Sequence, residues 1–253
     1  MRNLVSIVIP VYNEALAIRE ILRRVLAAPL PEWAEIEIVI VDDGSNDTTV
    51  NLIQEFIKEN PETSKLIRLH QGLVNHGKGA ALRAGFKLAQ GRIIIVQDGD
   101  LEYSPNDYSR LLQPFEDEET QIVYGSRFTR GIPRGMKFWN AVANRILSLA
   151  VQLLFAHPIT DEATGYKVFR KEILSQLDLK CRRFEFCPEF TAKVLRRGYS
   201  IIEVPINYNP RGIFEGKKIK ARDGFQALWT LVKYRLIPVR RDAATSQPSV
   251  RAN

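Results

Sequence analysis

An α/β fold, with a mostly parallel central sheet flanked by helices, is predicted by two features of this sequence and permitted by a third. Short runs rich in Val, Ile and Leu recur at residues 4–9, 36–41, 66–69, 93–96 and 122–124, with apolar residues at helical spacing between them. Such alternation is the pattern of a parallel sheet covered on both faces. Each run is followed by polar turn residues, as expected where the carboxyl ends of strands open into a ligand crevice. The 253 residues, 45% hydrophobic and 26% charged, suffice to bury a core without disulfides and exclude a disordered or collagen-like chain.

After the first run come Pro10, Val11, Tyr12, Asn13 and Glu14. Asn13 is expected to cap the next helix, and Tyr12 is placed where a ring can stack on a planar base. The second run ends in Asp42-Asp43-Gly44-Ser45-Asn46-Asp47. Ser45 or Asp47 caps the following helix, leaving Asp42 and Asp43 for a nucleobase or ribose hydroxyl. The third run leads to Gly72-Leu73-Val74-Asn75-His76-Gly77-Lys78-Gly79, a P-loop pattern with Gly79 in place of the magnesium-binding Ser or Thr. An NTPase is therefore not expected. The amides opening a helix over 80–90, together with Lys78, suit a diphosphate or a base edge instead.

The fourth run carries the sharpest signal, Gln97-Asp98-Gly99-Asp100-Leu101-Glu102. Acids at the end of an apolar strand are costly unless solvated or neutralised. Asp98 and Asp100 offer two hard oxygen ligands on one turn, suited to Mg2+ or Mn2+ that also binds phosphate; a plain Asp-Gly turn is the alternative. The fifth run ends in Gly125-Ser126-Arg127, whose guanidinium suits a bidentate grip on phosphate. Beyond residue 130 the rhythm changes to a Gly/Pro loop, an apolar helix over 139–155 with a polar stripe of Asn144, Ser148 and Gln152, and short strands near 167–169 and 201–204. This second half is expected to decorate the first, ending in a flexible tail at 241–253.

The net charge of +7 is concentrated between residues 208 and 241, where nine basic residues face Glu215 and Asp223. A local anionic partner follows: a phosphorylated ligand, an anionic membrane or nucleic acid. Two cysteines and three scattered histidines offer neither a zinc site nor a disulfide framework. The chain enters a strand-like run at once, so no secretion leader is expected. No run of about 18 uninterrupted apolar residues predicts a spanning helix.

Together these residues resemble family 2 glycosyltransferases of the GT-A fold, and within them the polyprenyl-phosphate hexosyltransferases such as dolichyl-phosphate mannose or glucose synthases. The resemblance covers residues 4–235. It rests on Val8 to Glu14, Val41-Asp42-Asp43-Gly44-Ser45, Gly77 to Leu82, Asp98-Gly99-Asp100, Gly125-Ser126-Arg127, Asp161 with Thr164-Gly165-Tyr166-Lys167, and Glu203-Val204-Pro205. It implies a single GT-A domain over 1–240, with a nucleotide-sugar-binding half at 1–130 and an acceptor and membrane-facing half at 131–240. Pro10, Tyr12, Glu14, Asp42, Lys78, Asp98 and Gly99 would bind the donor, a nucleotide-diphosphate sugar. Asp98, Asp100 and Glu102 would hold Mg2+ or Mn2+, with Glu102 standing where relatives often carry Gln. Arg127, Arg211, Lys217 and Lys218 would bind the acceptor phosphate; the customary Ser-Lys of the mannose synthases reads Lys217-Lys218 here.

A phosphate acceptor with a second pKa near ~6 arrives ionised and needs cations rather than a base. The excess of cations favours inverting transfer to a polyprenyl phosphate, such as dolichyl or undecaprenyl phosphate. If a saccharide or other hydroxyl were the acceptor, Asp161 would be the base. The apolar helix and the late basic segment suggest peripheral contact with an anionic membrane on its cytoplasmic face, and leave a homodimer open. Nucleic acid is not an expected partner; a non-enzymatic anion-binding module is the alternative of another class.

Overall fold

The computed structural model describes residues 3–210 and 221–237. Its strands are β1 (Asn3–Val11), β2 (Ala34–Asp42), β3 (Ile67–Gln71), β4 (Ile93–Val96), β5 (Ile122–Ser126), β6 (Lys167–Arg170) and β7 (Ile202–Pro205). Its α-helices are α1 (Ile18–Leu26), α2 (Thr49–Glu59), α3 (Lys78–Leu88), α4 (Tyr108–Leu112), α5 (Phe138–Phe155), α6 (Phe186–Arg196) and α7 (Ala221–Leu236). One seven-stranded sheet runs in the order β3-β2-β1-β4-β6-β5-β7. All pairings are parallel except those of β6, which is antiparallel to both β4 and β5. The five apolar runs are thus all strands.

The second half does more than decorate the first. β6 enters between β4 and β5, pairing Ile94 with Phe169 and Ile95 with Val168, and β7 closes the edge beyond β5. The reason is hydrogen-bond supply: without β6, the inner edges of β4 and β5 would be buried with unpaired backbone groups. Side chains alternate across β1. Val5, Ile7, Ile9 and Val11 pack with α1, α2 and α4, while Val8 joins the core beneath α3, α5, α6 and α7.

One of two helix starts differs from expectation. Asn13 does not cap α1, which begins at Ile18; it adopts a left-handed conformation (φ 52°) and clasps the neighbouring loop. Its N–H donates to Ser45 Oγ at 2.9 Å and its Oδ1 accepts from the Asn46 N–H at 3.0 Å. Asp47 does serve the start of α2, accepting from the Thr49 N–H at 2.9 Å.

Two of the three residues of the α5 polar stripe face inward, while Gln152 is exposed. Asn144 and Ser148 are buried. Asn144 donates to the Thr160 carbonyl and accepts from the Ala163 N–H, while Ser148 accepts from the Glu162 N–H. Outward it presents Phe138, Trp139, Ile146, Leu149 and Leu153, all exposed. By length and composition α5 is apolar enough to cross a membrane, yet its inner row is bound to the 160–163 loop. Asn144→Ala strips two buried bonds and is expected to lower the unfolding free energy by about 1–3 kcal/mol. Leu153→Ser, on the outer face, should change it by no more than about 0.5 kcal/mol. Urea denaturation measures both, and equal small changes would mean that the polar row does not face the core.

Candidate active site

The carboxyl ends of β1, β2, β4, β5 and β7 share one edge of the sheet with the amino end of β6, so most of the residues singled out in the sequence converge there. Asp42 is 1% exposed, and its carboxylate accepts from the Gly44 and Ser45 N–H groups, each at 3.1 Å to Oδ2. It therefore braces its own turn beside the edge where the donor is expected. Asp43, expected with Asp42 at a nucleobase or ribose hydroxyl, accepts from the His76 and Gly77 N–H groups at 2.8 and 2.7 Å and sets the entry to α3. Gly77 there has φ +99°, and a Cβ on it would lie 2.4 Å from the Arg182 carbonyl oxygen. The amides of Gly79 and Ala80 donate to the Arg183 and Arg182 carbonyls, each at 3.0 Å. They are occupied, so the anion site expected at this helix start reduces to Lys78.

Lys78 forms an ion pair with Asp98 in a largely desolvated position, the two side chains being 23% and 17% exposed. Burial alone would lower the ammonium pKa, but the charge and hydrogen bond of Asp98, together with the Cys187 and Glu102 charges, hold Lys78 above its ordinary value. Beneath the turn, Gln97 is fully buried. Its Oε1 accepts from the Tyr108 and Tyr166 hydroxyls, both at 2.7 Å, and its Nε2 donates to the Asp98 carbonyl at 3.0 Å. A polar residue closing a four-residue apolar strand was the signal for this brace. Asp100 Oδ1 accepts from the Glu102 N–H at 3.0 Å, and Glu102 Oε2 accepts from the Tyr208 hydroxyl at 3.1 Å. Burial, then the charge of Glu102, pushes the Tyr208 phenol up to about 12, so it remains a proton donor at neutral pH.

Among the described residues no three His, Cys, Asp or Glu side chains converge as a metal cage. The expected three-carboxylate set is thus not assembled, because Asp98 turns to Lys78 and Glu102 to Tyr208. The residues still fit a hard divalent ion: Asp98 and Asp100 are oxygen donors on one turn, and an ammonium already stands against Asp98. Such a sparse site leaves coordination positions for substrate phosphate.

Arg127 and Asp161 form the other pole. Asp161 is fully buried, with Oδ2 on Arg127 Nε and Oδ1 on Arg127 Nη2, both at 2.7 Å, and it also accepts the Arg127 backbone N–H at 2.9 Å. Glu203 supports it, accepting from the Asp161 N–H at 2.9 Å and the Thr160 N–H at 2.8 Å. Asp161 is therefore placed to position Arg127 rather than to take a proton from an acceptor. The Nε–Nη2 edge of Arg127 is thus taken by Asp161. Its guanidinium carbon lies 5.1 Å from the Tyr208 ring centroid and 5.9 Å from that of Tyr103.

Residues 207–209 are stitched to the 102–107 segment that follows the Asp98–Asp100 turn. Tyr208 bridges Tyr103, the Asn209 N–H donates to the Glu102 carbonyl at 2.9 Å, and the Asn207 N–H donates to Asp107 Oδ2 at 2.7 Å. Arg211, Lys217 and Lys218 lie outside the described residues, as do 241–253. Pro10, Tyr12 and Glu14 are partly exposed beside this edge, and Gly99 is buried against Val11 and Pro10. A separate cavity of about 820 Å³, lined by Arg83, Phe86, Lys87, Arg92 and Leu179 among others, contains none of the residues singled out in the sequence.

The family model for glycosyl transferase family 2 matches residues 6–178. The chain is 34% identical over 185 residues to the undecaprenyl-phosphate 4-deoxy-4-formamido-L-arabinose transferase of Pseudomonas fluorescens, covering 73% of this chain and 52% of that protein. It thus spans about half the length of that relative. It is 30% identical over 212 residues to the polyprenol monophosphomannose synthase of Mycolicibacterium smegmatis, covering 81% and 77%. Among solved structures, the glucosyl-3-phosphoglycerate synthase of Mycobacterium tuberculosis, in complex with Mn2+, UDP-glucose and phosphoglyceric acid, superposes with a TM-score of 0.67 at 19% identity, covering 93% and 81%. The shared architecture is the GT-A fold.

Beside Asp161 lies Glu162, fully buried, with Oε1 accepting from Thr191 and Oε2 without a partner among the described residues. Burial pushes its carboxyl from the ordinary 4.5 up to about 7. Between those values the folded chain keeps a proton that the unfolded chain has released. Stability therefore falls as pH rises from about 4.5 to 7, by about 1.4 kcal/mol per unit of pKa difference, and levels off above. Glu162→Gln should flatten that fall. Urea denaturation across this range checks it, and an unchanged slope in the variant would reject the assignment.

Proposed function

The chain belongs to glycosyl transferase family 2, and from that premise we propose that it transfers a sugar from a nucleotide-diphosphate donor to a polyprenyl phosphate, with inversion, at the cytoplasmic face of a membrane. One observation carries the choice of acceptor. Asp161, the carboxylate suited to deprotonate a hydroxyl, is buried with both oxygens held by Arg127. An ionised phosphate needs no such base. The two relatives, named for undecaprenyl-phosphate and polyprenol substrates, support the same reading.

In this reading Tyr12 and Glu14 meet the nucleoside, and Lys78 meets the diphosphate. A divalent ion held by Asp98 and Asp100 supplies charge stabilisation to the departing nucleoside diphosphate. Gln97 keeps the Asp98 turn rigid from below, and Tyr208 orients Glu102. Arg127, fixed by Asp161, lends positive potential to the acceptor side without forming a bidentate contact. Arg211, Lys217 and Lys218 follow directly after the 207–209 segment stitched to Glu102 and bind the acceptor phosphate. Displacement by a phosphate oxygen from the face opposite the diphosphate inverts the anomeric carbon.

The lipid would approach along the outer faces of α5 and α7. Trp139 and Leu153 on one helix, with Phe225, Trp229 and Leu236 on the other, are exposed on two helices that pack together. Arg145, Arg222, Lys233 and Arg235 are exposed on the same helices, and basic residues at an anionic surface contribute about 1 kcal/mol each. This composition suits a helix pair lying in the membrane interface.

With polyprenyl phosphate and Mn2+, one donor from a panel of UDP- and GDP-sugars is expected to label organic-extractable lipid. Asp98→Ala should lower turnover by about a hundredfold or more, the scale of losing a group that stabilises developing charge. Donor binding without any lipid product would move the assignment to a hydroxyl acceptor. Trp139→Glu combined with Leu153→Glu should reduce cosedimentation with anionic phospholipid vesicles while leaving thermal unfolding unchanged; undiminished cosedimentation would exclude this face as the membrane contact.

A further inference from the structure

We propose that Lys78 is a resident counter-cation for Asp98 that a divalent ion has to displace, so that the metal enters with the donor diphosphate rather than ahead of it. The inference rests on the donor and metal reading above. It starts from the ion pair itself. Lys78 contacts Asp98 Oδ1, and neither side chain is more than 23% exposed. A carboxylate this far from water is costly unpaired, and Lys78 is the cation that the chain brings to it.

The carboxylate has little freedom to offer its other face. A Cβ on Gly165 would lie 2.6 Å from Asp98 Oδ2 and 2.9 Å from Tyr103 Cε2, so the backbone and an aromatic ring close that side. From below, Gln97 holds the Asp98 carbonyl. Oδ1 is therefore the oxygen available to a cation, and it is the one that Lys78 contacts. Lys78 is the first residue of α3, and the start of that helix is pinned by Asp43 and by the Arg182 and Arg183 carbonyls. The ammonium can leave by rotating its stem while the backbone stays in place.

An exchange of partners follows from charge balance. A metal ion alone has to evict an ammonium that then lacks a counter-ion. When a nucleoside diphosphate arrives, its phosphate oxygens accept the ammonium while Asp98 and the same phosphates take the divalent ion, so every charge remains paired. Metal and nucleotide then bind cooperatively, and by linkage each tightens the other by the same factor. Lys78 acts as a positioning residue whose absence should alter metal affinity in a direction opposite to that of losing a ligand.

The test is Mn2+ binding to the full chain, followed by electron paramagnetic resonance of free Mn2+ and by calorimetry, without nucleotide and with UDP or GDP. Wild type should bind Mn2+ weakly alone and about tenfold or more tightly with the matching nucleotide, within the usual range of coupling between sites. Lys78→Met should bind Mn2+ alone about tenfold more tightly than wild type and lose most of the nucleotide-linked gain. Lys78→Arg, which keeps the charge, should resemble wild type, and thermal unfolding verifies that both variants fold. Equal Mn2+ affinity in wild type and Lys78→Met, with the nucleotide-linked gain retained, overturns the inference and leaves the proposed function standing. Absence of Mn2+ binding in every form, with or without nucleotide, overturns the metal reading and the inference with it.

Discussion

Carboxylates at the ends of apolar strands have to be neutralised or satisfied, and the functional edge of this protein is organised around that constraint. Each acid takes a different solution. Asp42 folds its own turn onto itself through the amides of Gly44 and Ser45, and Asp43 reaches across to the amides that open α3. Asp98 takes an ammonium from α3, and Asp161 takes a guanidinium from the end of β5. All but the first of these solutions join segments far apart in sequence, so the loops around the site hold one another. Lost hydrogen bonds here would leave charge buried.

Two poles result, with different tasks. Around Asp98 the groups are partly open to solvent and the resident cation is a flexible lysine, which a ligand can replace. Around Asp161 the pair is bidentate, braced by Glu203 and covered by Tyr103 and Tyr208. An arginine so held is a fixed source of positive potential rather than a hand that closes on a ligand. Tyr208 links the poles, its hydroxyl on Glu102 and its ring against Arg127.

Helix α5 is apolar on both sides. Asn144 and Ser148, buried beside Leu147 and Val151, satisfy backbone groups of the 160–163 loop, which carries Asp161 and Glu162, and a second apolar row with Trp139, Ile146 and Leu153 is left outside. The contact that orients Arg127 and the contact that exposes an apolar face are therefore two consequences of the same packing. A membrane or partner meeting that outer face would lie directly over the support of the acceptor side.

The five parallel-type strands, the acids and glycines at their ends and the family resemblance were legible in the sequence because each is local. Period-two and period-3.6 patterns and turn chemistry involve neighbours along the chain. The placement of β6 between β4 and β5 was not legible, since a strand's side-chain pattern says which face is buried and not which edge it pairs with. Nor were the partners of the acids. Asp42 and Asp98 look alike as carboxylates following apolar strands and Asp161 as one more loop acid, yet packing brought amides to the first, an ammonium to the second and a guanidinium to the third. The polar stripe of α5 was visible, but periodicity marks a stripe without saying which side is water. That depended on the unpaired groups of a loop more than a dozen residues away, and in a folded chain satisfaction of buried polar groups outranks the segregation of apolar ones.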